Sequence, residues 1–256
     1  MRISLSITKI FINMKRSLLQ TPFFIDKMAV VRYNGYEDKS EFYGGTIMDC
    51  EESRVYYTDK SIIKIAKIIV GLFILLTTLV GYNFQTTLMY ELTFISNFSC
   101  GLLLLLDGIV SLIRKKALPA ILYQFVLPCI LTVFCTVFFK IFGWFDFNFE
   151  GMFFFMHGIN PMLVLAMFLF ATELKFKDKK DYLRRIFIAP AMAMCYALFD
   201  YIRFLITGSL VYGLVPAERL TFIIAAIIGI VYYASVAFMS YVLLALKLYV
   251  QKKMER

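Results

Sequence analysis

Six long apolar segments follow one another along the chain after residue 60, separated by short polar stretches. Their approximate limits are 62–83, 90–113, 117–139, 152–173, 186–207 and 222–246. Each is close to the length of about 20 residues that an α-helix needs to cross the hydrocarbon core of a bilayer. Because the connections are short, sequential helices are expected to pack antiparallel as neighbours. The pattern predicts an all-α, polytopic membrane protein, a bundle of six transmembrane helices.

The composition is consistent with this class and argues against two others. Hydrophobic residues make up 61% of the chain and charged residues 18%, which is more apolar surface than a soluble domain can bury. The net charge of +9 would favour nucleic acid as the partner of a soluble protein. Here the basic residues lie mainly at the ends of apolar segments, as in membrane helices. We therefore expect membrane lipids as partners and no nucleic acid, and nothing in the sequence indicates a protein partner.

The distribution of lysine and arginine predicts the orientation, because these residues are retained on the cytoplasmic side. They flank alternate ends of the segments, at Arg54, Lys60, Arg114, Lys115, Lys116, Lys175, Lys177, Lys179, Lys180, Arg184, Arg185, Lys247, Lys252, Lys253 and Arg256. The other loops carry only Lys140 and Arg219. Lys64 and Lys67, in the first turns of segment one, are expected to extend back to the membrane surface. We predict two cytoplasmic termini and a multi-pass protein of the cell membrane, which is the plasma membrane if the cell is bacterial.

The first 60 residues differ from the rest. Residues 3–19 are apolar but interrupted by Lys9, Lys15 and Arg16, so this stretch is too short and too charged to span a bilayer. We predict an amphipathic helix on the inner membrane surface or a segment without fixed structure. The predicted regions are an N-terminal cytoplasmic segment 1–60, a six-helix transmembrane domain 61–249 and a cytoplasmic tail 250–256. Internal methionines leave open whether residues 1–27 or 1–47 are translated.

Metal-binding and redox motifs are absent from the sequence. The five cysteines form no Cys-x-x-Cys pair, and the chain contains a single histidine. A zinc or iron site needs several such ligands together. We therefore predict free thiols, no metal and no cofactor.

That single histidine, His157, lies in the fourth apolar segment, four residues before Pro161. A polar side chain within a membrane needs a partner inside the protein. Pro161 has no N–H, so the carbonyl of His157 loses its helical hydrogen bond. The sequence predicts a kinked turn at His157, with a freed carbonyl beside the imidazole.

Polar side chains form a stripe on each of two other segments. In segment two, the positions that share one face at 100° per residue are Thr93, Ser96, Asn97, Cys100 and Asp107. In segment five, the polar positions at spacings of four, three and four are Tyr196, Asp200, Arg203 and Thr207. We expect the first stripe to face the bundle interior. Asp200 and Arg203 have the spacing of an i,i+3 ion pair.

Counting residues from the helix ends brings several of these groups to one depth. Thr93, His157, Asp200 and Arg203 all fall in the outer third of the predicted membrane, whereas Asp107 falls near the inner end. The alcohol of Thr93 is inert near neutral pH unless a base lies within hydrogen-bond reach. His157 suits that role because apolar surroundings favour the neutral imidazole. Asp200 has the chemistry to orient the ring from its far side.

Three functions are compatible with this arrangement. The first is hydrolysis of a lipid ester near the headgroups, with Thr93 and His157 as catalytic residues. Its supporting polar pocket is predicted to consist of Ser96, Asn97, Asn160, Tyr196, Asp200 and Arg203. The second is a non-enzymatic protein that binds or transports a lipid or small amphiphile, its polar residues joining helices by hydrogen bonds. The third is ion or proton transport through Asp200 and Arg203.

Short motifs resemble a known family. They are Leu92-Thr93-Phe94-Ile95, the Ser96-Asn97 pair, His157 followed by Pro161, and the run from Tyr196 to Arg203 with Gly208 after it. Together these are similar to the androgen-induced-gene family of six-helix membrane proteins, and to its bacterial branch in particular. The likeness covers about residues 62–246.

The resemblance implies a function as well as a fold. Animal members use an intramembrane threonine and histidine to hydrolyse fatty acid esters of hydroxy fatty acids. Transferred to this chain, it implies Thr93 as the nucleophile and His157 as the base, with an acyl ester as substrate.

Overall fold

A computed structural model describes residues 61–85, 88–139, 147–176, 178–212 and 215–254 of the chain. The predicted N-terminal segment 1–60 lies outside the described residues. Within them, the helices are α1 (Ser61–Gly81), α2 (Leu92–Arg114), α3 (Ile121–Phe138), α4 (Gly151–Ala171), α5 (Lys179–Ile188), α6 (Ala191–Thr207) and α7 (Phe222–Met254).

Six membrane-spanning segments are formed by these helices, with α5 and α6 together making the fifth over Lys180–Thr207. This confirms the predicted all-α class with six helices long and apolar enough to cross a membrane. The predicted boundaries hold to within a few residues, except that α5 begins earlier than expected and α7 continues to Met254. Pro190 separates α5 from α6, as its missing N–H favours, and its carbonyl accepts the N–H of Met194 at 2.9 Å. The sidedness of the bundle stays a prediction.

Glycine sets the close packing of α1 against α2. A Cβ added at Gly71 would lie 2.6 Å from the backbone nitrogen of Leu105, and one at Gly108 would lie 2.8 Å from the carbonyl oxygen of Lys64. Only residues without a side chain allow two helix backbones to approach so closely, which is a common way for membrane helices to associate. The two helices are therefore held in a fixed register along their length.

The antiparallel helices place polar groups at both ends of the bundle, with an apolar core between. We call these the Thr93 end and the Asp107 end, after the residue of α2 nearest each. Ile74, Leu104 and Leu127, each at most 1% exposed, lie in the core cluster that joins α1, α2 and α3.

The Asp107 end contains a buried ion pair. Lys67 Nζ lies 2.6 Å from Asp107 Oδ2, and the side chains are 2% and 0% exposed. Asp107 also accepts hydrogen bonds from the Tyr123 hydroxyl at 2.7 Å, the Leu118 N–H at 2.7 Å and the Ser111 hydroxyl at 3.3 Å. The prediction that Lys67 extends to the membrane surface is wrong, because this carboxylate gives it a partner inside the bundle.

Candidate functional site

Thr93 and His157 come together at the other end of the bundle. Thr93 lies in the first turn of α2, and His157 lies in the second turn of α4. The Thr93 Oγ1 atom is 3.5 Å from His157 Nε2, and both side chains are buried. Two residues 64 positions apart in the chain thus meet, and each lies near an end of its helix, as counting predicts.

The backbone around His157 is a π-helical turn, Phe155–Ile159, inserted into α4. At its end, the N–H of Asn160 donates to the carbonyl of Phe155, five residues back. Such turns widen a helix locally and are frequent at functional sites. The irregular turn predicted before Pro161 is therefore present. However, the imidazole contacts the carbonyl of Phe153 rather than the freed carbonyl of His157.

The surroundings of the imidazole fix its tautomer. His157 Nδ1 lies 3.1 Å from the carbonyl oxygen of Phe153, and the two rings are stacked with centroids 4.2 Å apart. A carbonyl oxygen only accepts hydrogen bonds, so Nδ1 carries the hydrogen of the neutral ring. Nε2 then presents its lone pair to the Thr93 hydroxyl. This is the tautomer that a general base toward Thr93 requires.

Tyr212, in the connection between α6 and α7, is a third member of the site that no sequence pattern indicates. Its hydroxyl accepts the N–H of Thr93 at 3.1 Å and lies 3.4 Å from Thr93 Oγ1. The first N–H groups of a helix have no intrahelical partner, so the phenol serves as a cap for α2. A single tyrosine in a loop has no periodicity, and only its placement in space identifies it.

Two tyrosine hydroxyl groups at this end of α2, those of Tyr212 and Tyr82, stay protonated. Burial raises the pKa of Tyr212 above its ordinary value, and Glu91 contributes in the same direction. Burial likewise raises the pKa of Tyr82, helped by the 2.8 Å hydrogen bond that its hydroxyl donates to Glu91. Both phenols are therefore neutral hydrogen-bond donors at physiological pH.

Ser96, Asn97 and Asn160, predicted as pocket residues, support Thr93 from behind. The Ser96 hydroxyl and the Asn97 amide donate to the carbonyl of Thr93 at 3.3 and 2.8 Å. The amide of Asn160 then donates to Asn97 Oδ1 at 3.0 Å and to the Thr77 hydroxyl at 3.1 Å. All three predicted residues are fully buried, as expected for Ser96 and Asn97 of the stripe that faces the interior. They join α1, α2 and α4 around the site.

The other predicted pocket residues have different neighbours. Asp200 and Arg203, both described, form no direct ion pair with each other. Asp200 accepts the N–H of Val211 at 2.9 Å, while Arg203 donates to the carbonyl of Ser209 at 2.8 Å. The predicted ion pair is wrong because the loop after α6 folds back and offers both charges backbone partners. Tyr196 is buried close to Tyr212.

Aromatic side chains cover the imidazole from the side of the α3–α4 loop. The ring of Phe147 lies 6.0 Å from that of Phe153, which in turn stacks on His157. Trp144, in the same loop, lies outside the described residues. The stacked ring of Phe153 thus covers one face of the imidazole, and the His157 side chain is 9% exposed.

The chemistry open to the site is proton transfer between an alcohol and an imidazole in apolar surroundings. Across the described ranges, no three side chains of the histidine, cysteine or acidic types converge to hold a metal ion.

The fold and site define a bundle of six apolar, membrane-spanning helices with a buried threonine–histidine contact at one end. No protein-family model, curated protein or solved structure matches the chain.

Proposed function

We propose that this protein is a membrane-embedded hydrolase of fatty acid esters, with Thr93 as the nucleophile and His157 as the general base. The observation that supports it is the 3.5 Å contact between Thr93 Oγ1 and the unprotonated Nε2 of His157. Hydrogen bonds between catalytic groups are often long before substrate binds and shorten in the reacting complex.

The proton transfers and bond changes take place between these two groups, the ester and water. His157 Nε2 takes the hydroxyl proton as Thr93 Oγ1 attacks the ester carbonyl carbon, whose oxygen becomes an oxyanion. Collapse of this intermediate breaks the bond to the alcohol, which leaves with the proton from Nε2. Water then gives a proton to Nε2 and attacks the acyl-threonine. The fatty acid departs, and the proton on Nε2 returns to Thr93.

The position of the site favours a lipid ester over a soluble one. Thr93 and His157 lie within two turns of their helix ends, and the bundle exposes apolar side chains between its two ends, such as Leu72, Leu76 and Leu102. An ester held there meets water at the end of the bundle while its acyl chains stay in hydrocarbon. The predicted orientation assigns this end to the outer leaflet. The likeness to the androgen-induced-gene family is part of the same proposal.

The test compares purified Thr93→Val, Thr93→Ser and His157→Gln variants with the parent on a fatty acid ester of a hydroxy fatty acid. Thr93→Val keeps the shape but removes the alcohol, so hydrolysis should fall to background. Thr93→Ser should retain activity, and His157→Gln should lose roughly a hundredfold or more. Thr132→Ala is the matched control, because it also removes a buried hydroxyl, one bonded to the Pro128 carbonyl on α3.

A fluorophosphonate probe gives an independent measurement, since it labels activated alcohols covalently. Labelling that disappears with Thr93→Val but persists with Thr132→Ala supports the hydrolase. A parent that is neither labelled nor active, yet binds lipid, would instead be the non-enzymatic lipid binder. Equal hydrolysis by the parent and Thr93→Val would exclude the proposal.

A further inference from the structure

The loop that follows α6 is tied back onto α6 by the polar stripe of that helix. Gly208 ends α6 with φ of 73°, a conformation that favours glycine, and its N–H donates to the carbonyl of Phe204 at 2.8 Å. The chain then reverses, so that Arg203 binds the carbonyl of Ser209 and Asp200 accepts the N–H of Val211. Tyr212 is the next residue. The hydrogen bond from the Val211 N–H to Asp200 therefore fixes the backbone at the start of Tyr212.

The hydrogen bonds around Thr93 form a connected series in which each donor can be assigned. The Thr93 N–H can only donate, so the oxygen of Tyr212 accepts from it at 3.1 Å. Because Nε2 of His157 carries no hydrogen, Thr93 Oγ1 donates to it across 3.5 Å. This leaves Oγ1 to accept from the Tyr212 hydroxyl, 3.4 Å away. The last hydrogen bond of the series is the one that His157 Nδ1 donates to the carbonyl of Phe153.

We propose that Tyr212 is a further catalytic residue of this site and that Asp200 is its positioning residue; this rests on the proposed hydrolase. As Thr93 Oγ1 gives its proton to His157 and bonds to the ester carbon, negative charge develops on the ester oxygen beside Oγ1. The Tyr212 hydroxyl lies 3.4 Å from Oγ1 before the reaction and stabilises that charge by turning its hydrogen to the ester oxygen, keeping its own proton throughout. A donor aimed at a developing oxyanion is a strong source of rate enhancement in an apolar site.

Asp200 acts in this scheme as a hydrogen-bond acceptor and not as a charge. Its Oδ1 accepts a backbone N–H, which an asparagine side chain at the same position would also accept. A carboxylate that oriented the histidine ring, or that carried an ion, would lose its role on the same change. Asp200→Asn therefore distinguishes the positioning role, which it preserves, from orientation of the histidine ring and from ion transport, which it would abolish.

The experiment measures kcat and KM for fatty ester hydrolysis by the full chain and its variants. Tyr212→Phe should lower kcat on the order of tenfold to a hundredfold with little change in KM, because the oxyanion that accepts this hydrogen bond forms only in the transition state. Asp200→Leu should lower kcat similarly, and Asp200→Asn should restore it. Tyr233→Phe is the matched control, since it removes a tyrosine hydroxyl that is bonded to the Phe187 carbonyl, outside the site.

A second measurement follows Tyr212 itself, through 3-fluorotyrosine placed at position 212 and fluorine NMR. Asp200→Leu should shift the resonance and lower the pH at which the phenol titrates, whereas Asp200→Asn should leave both unchanged. An unchanged resonance in Asp200→Leu would exclude the positioning role.

The outcomes separate the two proposals. Parent-like kcat in Tyr212→Phe, together with an inactive Thr93→Val, would overturn the role of Tyr212 and leave the hydrolase intact. Full activity in Thr93→Val would overturn both.

Discussion

The Nδ1 atom of His157 lies 3.1 Å from the carbonyl oxygen of Phe153, one helical turn earlier. This contact decides which ring nitrogen bears the proton, and so whether the nitrogen facing Thr93 can accept one. In a π-helical turn the side chains are rotated relative to a regular helix. The turn before Pro161 thus aims one edge of the ring at its own helix and the other at α2.

The tautomer is measurable because the chain has a single histidine. Protein labelled with ¹⁵N-histidine, and purified without a histidine tag, should give one pair of ring signals. We expect Nδ1 to be of the protonated type and Nε2 of the unprotonated type, with Thr93→Val shifting mainly Nε2. Thr132→Ala should shift neither. The reverse assignment, with the proton on Nε2, would contradict the geometry of the site.

The hydrogen bonds of Asn160 should contribute measurably to stability, since its amide joins Asn97 of α2 to Thr77 of α1. Asn160→Leu leaves polar groups of both partners unpaired in the core. We expect a loss of about 1–3 kcal/mol in the free energy of unfolding in detergent micelles. The exposed Asn148, replaced by alanine, should change it by less than about 0.5 kcal/mol. Equal effects would mean that the network is not stabilising.

The buried Lys67–Asp107 ion pair should stabilise the protein only as a pair, because removing one partner leaves the other charge buried without an opposite charge beside it. Lys67→Met should destabilise the protein by about 3–5 kcal/mol. Adding Asp107→Asn removes the remaining charge and keeps an oxygen for the Leu118 N–H, so the double variant should recover much of the loss. Chemical unfolding of the two single variants and the double variant tests this. Losses that simply add would argue against a coupled pair.

Close packing of α1 on α2 predicts that a methyl group at Gly71 is not tolerated, as it would lie 2.6 Å from the backbone of Leu105. Gly71→Ala should lower the free energy of unfolding by about 1–3 kcal/mol through forced separation of the helices. Gly229, with no atom within 4 Å of an added Cβ, provides the control. Gly229→Ala should be neutral or stabilising by up to about 1 kcal/mol, because alanine favours a helix. Similar results for both glycines would contradict the packing.

The two polar stripes illustrate how far sequence reasoning reaches. The stripe of α2 faces the interior as its spacing predicts, because 100° per residue fixes the relative directions of side chains on one helix. The stripe of α6 has the same regularity, yet Arg203 and Asp200 bond to a loop and not to each other. Their partners depend on the path of residues 208–212, which no periodicity describes.

Thr93 and His157 were brought to the same depth by counting alone, since the rise per residue and the alternation of helix direction are fixed quantities. Counting does not set the rotation of one helix relative to another. Whether the alcohol and the imidazole share a face of the interface therefore depends on the packing of α1, α2 and α4.

The sequence by itself determined the class of this protein, six apolar helices in antiparallel succession, because the bilayer imposes helix length and the chain satisfies its own backbone hydrogen bonds locally. It also determined the irregular turn at His157, because proline removes a specific N–H. Only the tertiary structure decided the histidine tautomer, the partner of Lys67 and the presence of Tyr212 beside Thr93. The last two depend on contacts between distant parts of the chain, whose relative rotation and loop path are set by packing. The tautomer depends on how the imidazole is rotated within its own π-helical turn, which the position of proline does not set.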